Sequence, residues 1–178
     1  PNDVYDIISK EDAFRLLNME NIIQLDTETT GFDPFTCKLL TQQFGTCNDV
    51  QFVIDNDTVS RLYFKKILED KDRLFLLQNA KFDLRFFYNL GINIQKVYDT
   101  FLAECLLNAG LDERGLSLLF LAKKYCNVDL DKSIRGDIHR EGLTGRVIKY
   151  CADDVKYLDE IRQKQLLQIK DFDMENVL

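Results

Sequence analysis

The sequence predicts an α/β fold in a single domain spanning residues 1–178, a sheet with helices packed on both faces. Three observations carry this. Short apolar runs of strand length recur at residues 22–27, 39–45, 50–54, 74–77 and 97–98. From residue 74 they alternate with segments of helical periodicity, strand–helix–strand–helix. The chain has 178 residues, 46% apolar and 30% charged, enough to enclose one core of ordinary size.

The elements follow in order. Ser9 with Asp12 three residues on is an approximate capping box, opening a helix through Phe14 and Leu17. The strand 22–27 follows, then turn chemistry at Gly31-Phe32-Asp33-Pro34. Residues 39–45 and 50–54, separated by a polar loop around Asn48 and Asp49, form a hairpin. Asp55-Asn56-Asp57 reads as the cap of a helix through Val59, Leu62, Tyr63, Ile67 and Leu68. The buried strand 74–77 leads into a helix from Lys81 to Leu90, closed by Gly91. Asp99 and Thr100 cap a helix that Gly110 stops. Residues 117–125 form another helix, and 126–143 read as a charged loop. Thr144 caps a last helix, continuous from Arg146 to about Ile169.

No apolar run approaches the roughly 18 residues of a membrane span. No leader pattern opens the chain, and its ends suggest a domain cut from a longer protein. The five cysteines are odd in number and form no Cys-x-x-Cys pair. That points to an intracellular, reducing compartment and against a zinc site, with each thiol a small buried apolar group. The net charge of −7 argues against a generic nucleic-acid binder. The charge is uneven, however: residues 81–150 carry +2 and the remainder −9, so the middle can accept a phosphate-bearing partner.

The candidate chemistry lies in four acids. Asp26 and Glu28 are two apart at a strand end and so share a face. Two close carboxylates repel unless a cation sits between them, and a hard divalent ion is the simplest one. On the last helix, Val147, Ile148, Cys151, Val155 and Leu158 form an apolar stripe. Asp154 lies about 50° from its centre, and Tyr150 stands one turn earlier on the same side. Asp153 points away, a solvated charge. Asn79 and Asp83 repeat this spacing at the start of another helix, where the dipole favours an acid. Asp26, Glu28, Asp83 and Asp154 aimed at one cleft suit phosphoryl transfer with two Mg²⁺ or Mn²⁺ ions, with the Tyr150 hydroxyl orienting a water.

These residues resemble a known family. Asp26-Thr27-Glu28, Asn79-Ala80-Lys81-Phe82-Asp83 and Tyr150-Cys151-Ala152-Asp153-Asp154 match, in order, the three motifs of the tyrosine subclass of DEDD 3′–5′ exonucleases (DEDDy). Asp99-Thr100, Leu116-Ser117-Leu118 and Leu130-Asp131-Lys132-Ser133 also look like this subclass. The likeness covers residues 20–165. It implies a ribonuclease H-like fold, a mixed five-stranded sheet with one antiparallel strand. It also implies that Asp26, Glu28 and Asp154 hold a first metal, that Asp26 bridges to a second, and that Asp83 reaches the second through water. Tyr150 would position the nucleophilic water. Thr27, Phe32, Gln78, Asn79 and Lys132 would contact the strand, Phe32 as a wedge between terminal bases. One departure is Phe82, which lacks the hydroxyl that a tyrosine would offer.

Two branches of the family compete. The tail of the chain resembles the approach to a polymerase domain. That favours the proofreading domain of family A DNA polymerases, acting on a single-stranded or frayed DNA 3′ end, over an RNase D-like exoribonuclease. A catalytically inactive exonuclease-fold scaffold is the reading of another class, and the four retained acids weigh against it. The histidine subclass would need His where Lys149 stands, and His139 reads as a solvated loop residue. Lys132, Arg135, Arg140, Arg146 and Lys149 form a loose basic run, either a solvated face or a guide for the strand backbone.

Overall fold

The computed structural model describes residues 9–108 and 116–177. The expected stop at Gly110 lies outside the described residues. The elements are α1 (Lys10–Asn18), β1 (Ile22–Thr29), β2 (Leu39–Thr46), β3 (Gln51–Asp55), α2 (Lys65–Leu68), β4 (Leu74–Leu77), α3 (Ala80–Asn89), β5 (Val97–Asp99), α4 (Thr100–Leu107), α5 (Leu118–Cys126), α6 (Asp137–Glu141), α7 (Gly145–Asp153) and α8 (Leu158–Val177).

The five strands form one mixed sheet in the order β3-β2-β1-β4-β5. β2 runs antiparallel to both its neighbours, while β1, β4 and β5 are parallel. This is the expected ribonuclease H-like arrangement, with β1 central.

Alternation along the strands gives each face its own partners. Ile23 and Leu25 of β1, with Phe44, Phe52 and Phe75, pack on Ala13 and Leu17 of α1 and on Phe86 and Phe87 of α3. Val53, on the opposite face, meets Val147, Tyr150 and Cys151 of α7. Gln24, Asp26 and Glu28 share that second face by the period of two. Second-face packing is extended by α8, which lies against α4 and α5, with Ile161 on Leu121 and Tyr125.

Three expected elements need correction. The helix expected from residue 57 onward is only Lys65–Leu68. The preceding stretch folds as local turns: the Asp55 carboxylate accepts from Asp57 N at 2.9 Å, and Ser60 Oγ accepts from Leu62 N at 3.2 Å. Such side-chain bonds compete with helix formation. The charged loop 126–143 contains a short helix, Asp137–Glu141. The last helix is two helices, α7 and α8, with Asp154 as the C-cap of the first.

That break has a structural cause on the sheet. Gln24 Oε1 accepts from Asp159 N at 3.0 Å and so caps the start of α8 from β1. Gly45 of β2 leaves room for the Val155 carbonyl, which would lie 2.5 Å from a Cβ there. The chain after Asp154 is thus seated on the strands by contacts that a helical period cannot reveal. Of the five thiols, only Cys151 is buried; Cys37, Cys105 and Cys126 are half-buried and Cys47 is exposed, so the expectation of five buried apolar groups holds at Cys151 alone. No helix among the described residues is long and apolar enough to cross a membrane.

Candidate active site

β1 carries Asp26 and Glu28 on the second face of the sheet, and α7 delivers Asp154 to the same place. Thr144 starts α7 by accepting from Val147 N at 3.3 Å. The helix buries Val147 and Cys151, and this fixes which side Tyr150 and Asp154 present. One carboxylate oxygen each from Asp26, Glu28 and Asp154 lies within 4.8 Å of the others. Asp83 stands outside this trio: it comes from α3, on the other face, and accepts from the Thr27 hydroxyl. The four expected acids are therefore three clustered and one at the side.

Their protonation shows the strain of that convergence. Burial pushes Asp26 well above the ordinary carboxylate range, and the charges of Asp154, Asp83 and Glu28 push it further. Glu28 is raised to about 7, chiefly by burial and then by Asp154. Burial also raises Asp83 to about 7, while its hydrogen bond from Thr27 pulls the other way. Asp154 is raised by burial, against the attraction of Lys132. The donor set, three partly desolvated carboxylate oxygens around one point, fits a hard divalent cation. Tyr150 lies beside it, 7% exposed. Burial and then Asp154, Glu28 and Asp26 push its phenol up, so it remains an O–H donor at neutral pH.

The model of a 3′–5′ exonuclease family matches residues 3–170. The chain belongs to the 3′–5′ exonuclease family. Among curated proteins, this exonuclease resembles DNA polymerase I of Borreliella burgdorferi, 30% identical over 127 residues, 66% of this chain and 14% of that protein. It also resembles DNA polymerase I of Aquifex aeolicus, 27% identical over 165 residues, 92% of this chain and 27% of that protein. The exonuclease chain thus spans between 14% and 27% of the length of these relatives. Among solved structures, Escherichia coli RNase D, described as an exoribonuclease involved in structured RNA processing, aligns with a TM-score of 0.80 at 26% identity. That alignment covers 94% of this chain and 45% of the other.

The remaining expected contacts of the exonuclease divide by what their side chains already do. Phe32 is 82% exposed, and its ring stands T-shaped to that of Phe82 with centroids 6.2 Å apart. Its loop is closed by Thr30 Oγ1 accepting from Lys38 N at 2.8 Å and tied to α3 by Asn89 Nδ2 donating to Pro34 O at 2.8 Å. Asn79 is exposed at φ 58°, in the left-handed region that Asn tolerates, and its side chain caps nothing. Gln78 has a second task beside the expected strand contact. Its amide donates to Leu116 O at 2.6 Å and accepts from Thr100 Oγ1 at 2.5 Å, so it braces the scaffold. Thr27 likewise spends its hydroxyl on Asp83.

The basic run also divides. Arg140 and Arg146 pair with Asp137, Arg146 also with Glu141, and Lys149 pairs with Asp153. Lys132 instead pairs with Asp154 and sits 4.9 Å over the Tyr150 ring. The Arg135 charge steadies Glu28 and Asp154. His139 is exposed on α6.

Two residues of the site, Gln43 and Thr41, were missed from sequence. Gln43 sits directly across from Asp26 in the β1–β2 register and donates to Asp26 Oδ2 at 3.1 Å. Thr41 Oγ1 donates to Gln43 Oε1 at 2.6 Å and so orients that amide. Asp99 accepts at 2.9 Å from the backbone N–H groups of Asn79, Ala80 and Phe101, tying the start of α3 to that of α4. The pairing that places Gln43 is that of β1 with β2, which sets residue 43 opposite residue 26.

Proposed function

We propose that this chain is a metal-dependent 3′–5′ exonuclease of the DEDDy type that removes nucleoside 5′-monophosphates from single-stranded or frayed DNA 3′ ends. The observation that carries the reading is the convergence of Asp26, Glu28 and Asp154 within 4.8 Å, with the Tyr150 phenol near enough to feel the charge of all three. The curated relatives are DNA polymerases, which favours DNA and a proofreading role within a longer polymerase chain.

Asp26, Glu28 and Asp154 would hold a first Mg²⁺ or Mn²⁺ ion, with Asp26 and Asp83 serving a second. Bound there, the ions would supply hydroxide at neutral pH and shield charge on the attacking and leaving oxygens. The protein does the positioning. Tyr150, protonated and fixed by the α7 packing, holds a water by its O–H. Gln43 keeps one oxygen of Asp26 oriented, and Thr27 does the same for Asp83. Phe32 offers an exposed ring against which a terminal base can stack, and Asn79 an unused amide for its edge. A mismatched end costs less to unstack than a paired one, so selectivity follows from fraying.

The likeness to RNase D supports a second reading, an RNA 3′-end processor. Matched DNA and RNA single strands carrying a 3′ label, digested in parallel with Mg²⁺ and with EDTA, test both. The proposal expects metal-dependent release of label, faster from DNA. Faster release from RNA favours the second reading. No release from either strand, with no Mn²⁺ binding, would leave an inactive scaffold.

A further inference from the structure

Lys132 is placed where a divalent cation would compete with it. Its ammonium pairs with the Asp154 carboxylate, whose side chain is 8% exposed, and lies over the face of Tyr150 at 4.9 Å. Among the described residues, no other Lys or Arg pairs directly with a member of the Asp26, Glu28 and Asp154 trio. Arg140, Arg146 and Lys149 of the same run are held by acids of their own. Lys132 comes from a stretch without helix or strand, but the flanks are anchored by buried Leu130 and Ile134. Its four-carbon stem can therefore swing while its root stays fixed.

We propose that Lys132 is a built-in counter-cation that neutralises the acid trio in the metal-free protein and must leave Asp154 when a divalent ion is taken up. This rests on the reading of the trio as metal ligands. Metal uptake then becomes an exchange of one ammonium for one ion. The Lys132–Asp154 contact holds the empty site together and lowers its metal affinity. Physically, three carboxylates whose oxygens lie within 4.8 Å repel when ionised, and a positive charge among them relieves a repulsion that otherwise destabilises the fold. The aromatic face of Tyr150 gives the ammonium a second attraction at the same spot.

The test is calorimetric titration of Mn²⁺ into wild type, Lys132→Met, Lys132→Gln, Lys132→Arg and Lys149→Met, with melting curves of each in EDTA. Lys132→Met should bind Mn²⁺ about tenfold more tightly, which corresponds to about 1.4 kcal/mol. It should melt below wild type in EDTA and recover on Mn²⁺ addition. Lys132→Arg keeps the charge and should stay near wild type in both. Lys149→Met removes an equal charge from Asp153 and should change affinity less than about threefold, roughly 0.7 kcal/mol. If Lys132→Met does not fold in EDTA, Lys132→Gln carries the same expectation. Unchanged or weaker affinity in the folded neutral variants, or an equal gain in Lys149→Met, overturns the proposal. Failure of wild type itself to bind Mn²⁺ overturns the metal reading as well, which separates the two failures.

Discussion

Replacing Glu28 by Gln should stabilise the metal-free protein at neutral pH while disabling the site. Glu28 titrates at about 7 in the fold against 4.5 for the unfolded group, because burial and Asp154 oppose its charge. The sign follows from proton uptake. Below 4.5 both states are protonated, and the carboxyl costs nothing. Between 4.5 and 7 the unfolded chain releases its proton first, so stability falls as pH rises. Above 7 the loss is complete. Each unit of that displacement corresponds to about 1.4 kcal/mol, giving a ceiling of roughly 3 kcal/mol. Gln keeps the shape without the charge, and the neighbouring acids share part of the relief, so a gain on the order of 2 kcal/mol is expected at pH 8. For a domain of this size that is a rise of roughly 4–8 °C in Tm. Urea unfolding in EDTA at pH 4.5 and pH 8 measures it. The variant should match wild type at pH 4.5 and exceed it at pH 8. Saturating Mn²⁺ should reverse the order, because only wild type gains full binding energy. A variant that is no more stable than wild type at pH 8, or equally shifted at both pH values, would refute the claim that the acids are held together against their repulsion.

Four further outcomes follow from the geometry. Asp26→Ala or Asp154→Ala should remove activity by at least about 10³-fold while circular dichroism stays unchanged, since ligands are lost and the core is not. Tyr150→Phe should lower kcat by roughly 10- to 100-fold, a smaller loss because only the water's orientation suffers; the kcat profile from pH 6 to 9 should keep its shape, since the phenol stays protonated there. Phe32→Ala should raise KM for single-stranded DNA by about tenfold with stability within about 0.5 kcal/mol, as expected for losing one exposed stacking face. Gly45→Ala puts a Cβ against the Val155 carbonyl, so thermal denaturation should report a loss of about 1–3 kcal/mol, with Mn²⁺ affinity falling as Asp154 shifts.

Much of the site was legible because the acids sit on elements with clean periods. Asp26 and Glu28 are two apart on a strand, and Asp154 flanks an apolar helical stripe that holds through Cys151. Helix starts at Ser9, Asp99, Ser117 and Thr144 were equally readable, since each cap is a bond between residues two or three apart. What escaped the sequence was carried by long-range contacts. The break between α7 and α8 depends on Gln24 reaching Asp159 and on Gly45 admitting Val155, partners more than 100 residues apart. Gln43 acquires its role only from the strand register. Gln78 was expected at the strand by motif position, and its bonds to Thr100 and Leu116 appear only in three dimensions. Lys132 was expected at the strand, and its pairing with Asp154 appears only in three dimensions.

The central claim is that Asp26, Glu28 and Asp154 together form a divalent-metal site. Anomalous diffraction from crystals soaked in Mn²⁺ tests it most directly. The account predicts a peak within coordination distance of carboxylate oxygens from all three residues, with Lys132 withdrawn from Asp154. A Mn²⁺ peak elsewhere, or none there in crystals of protein that still degrades DNA with Mn²⁺, would contradict it.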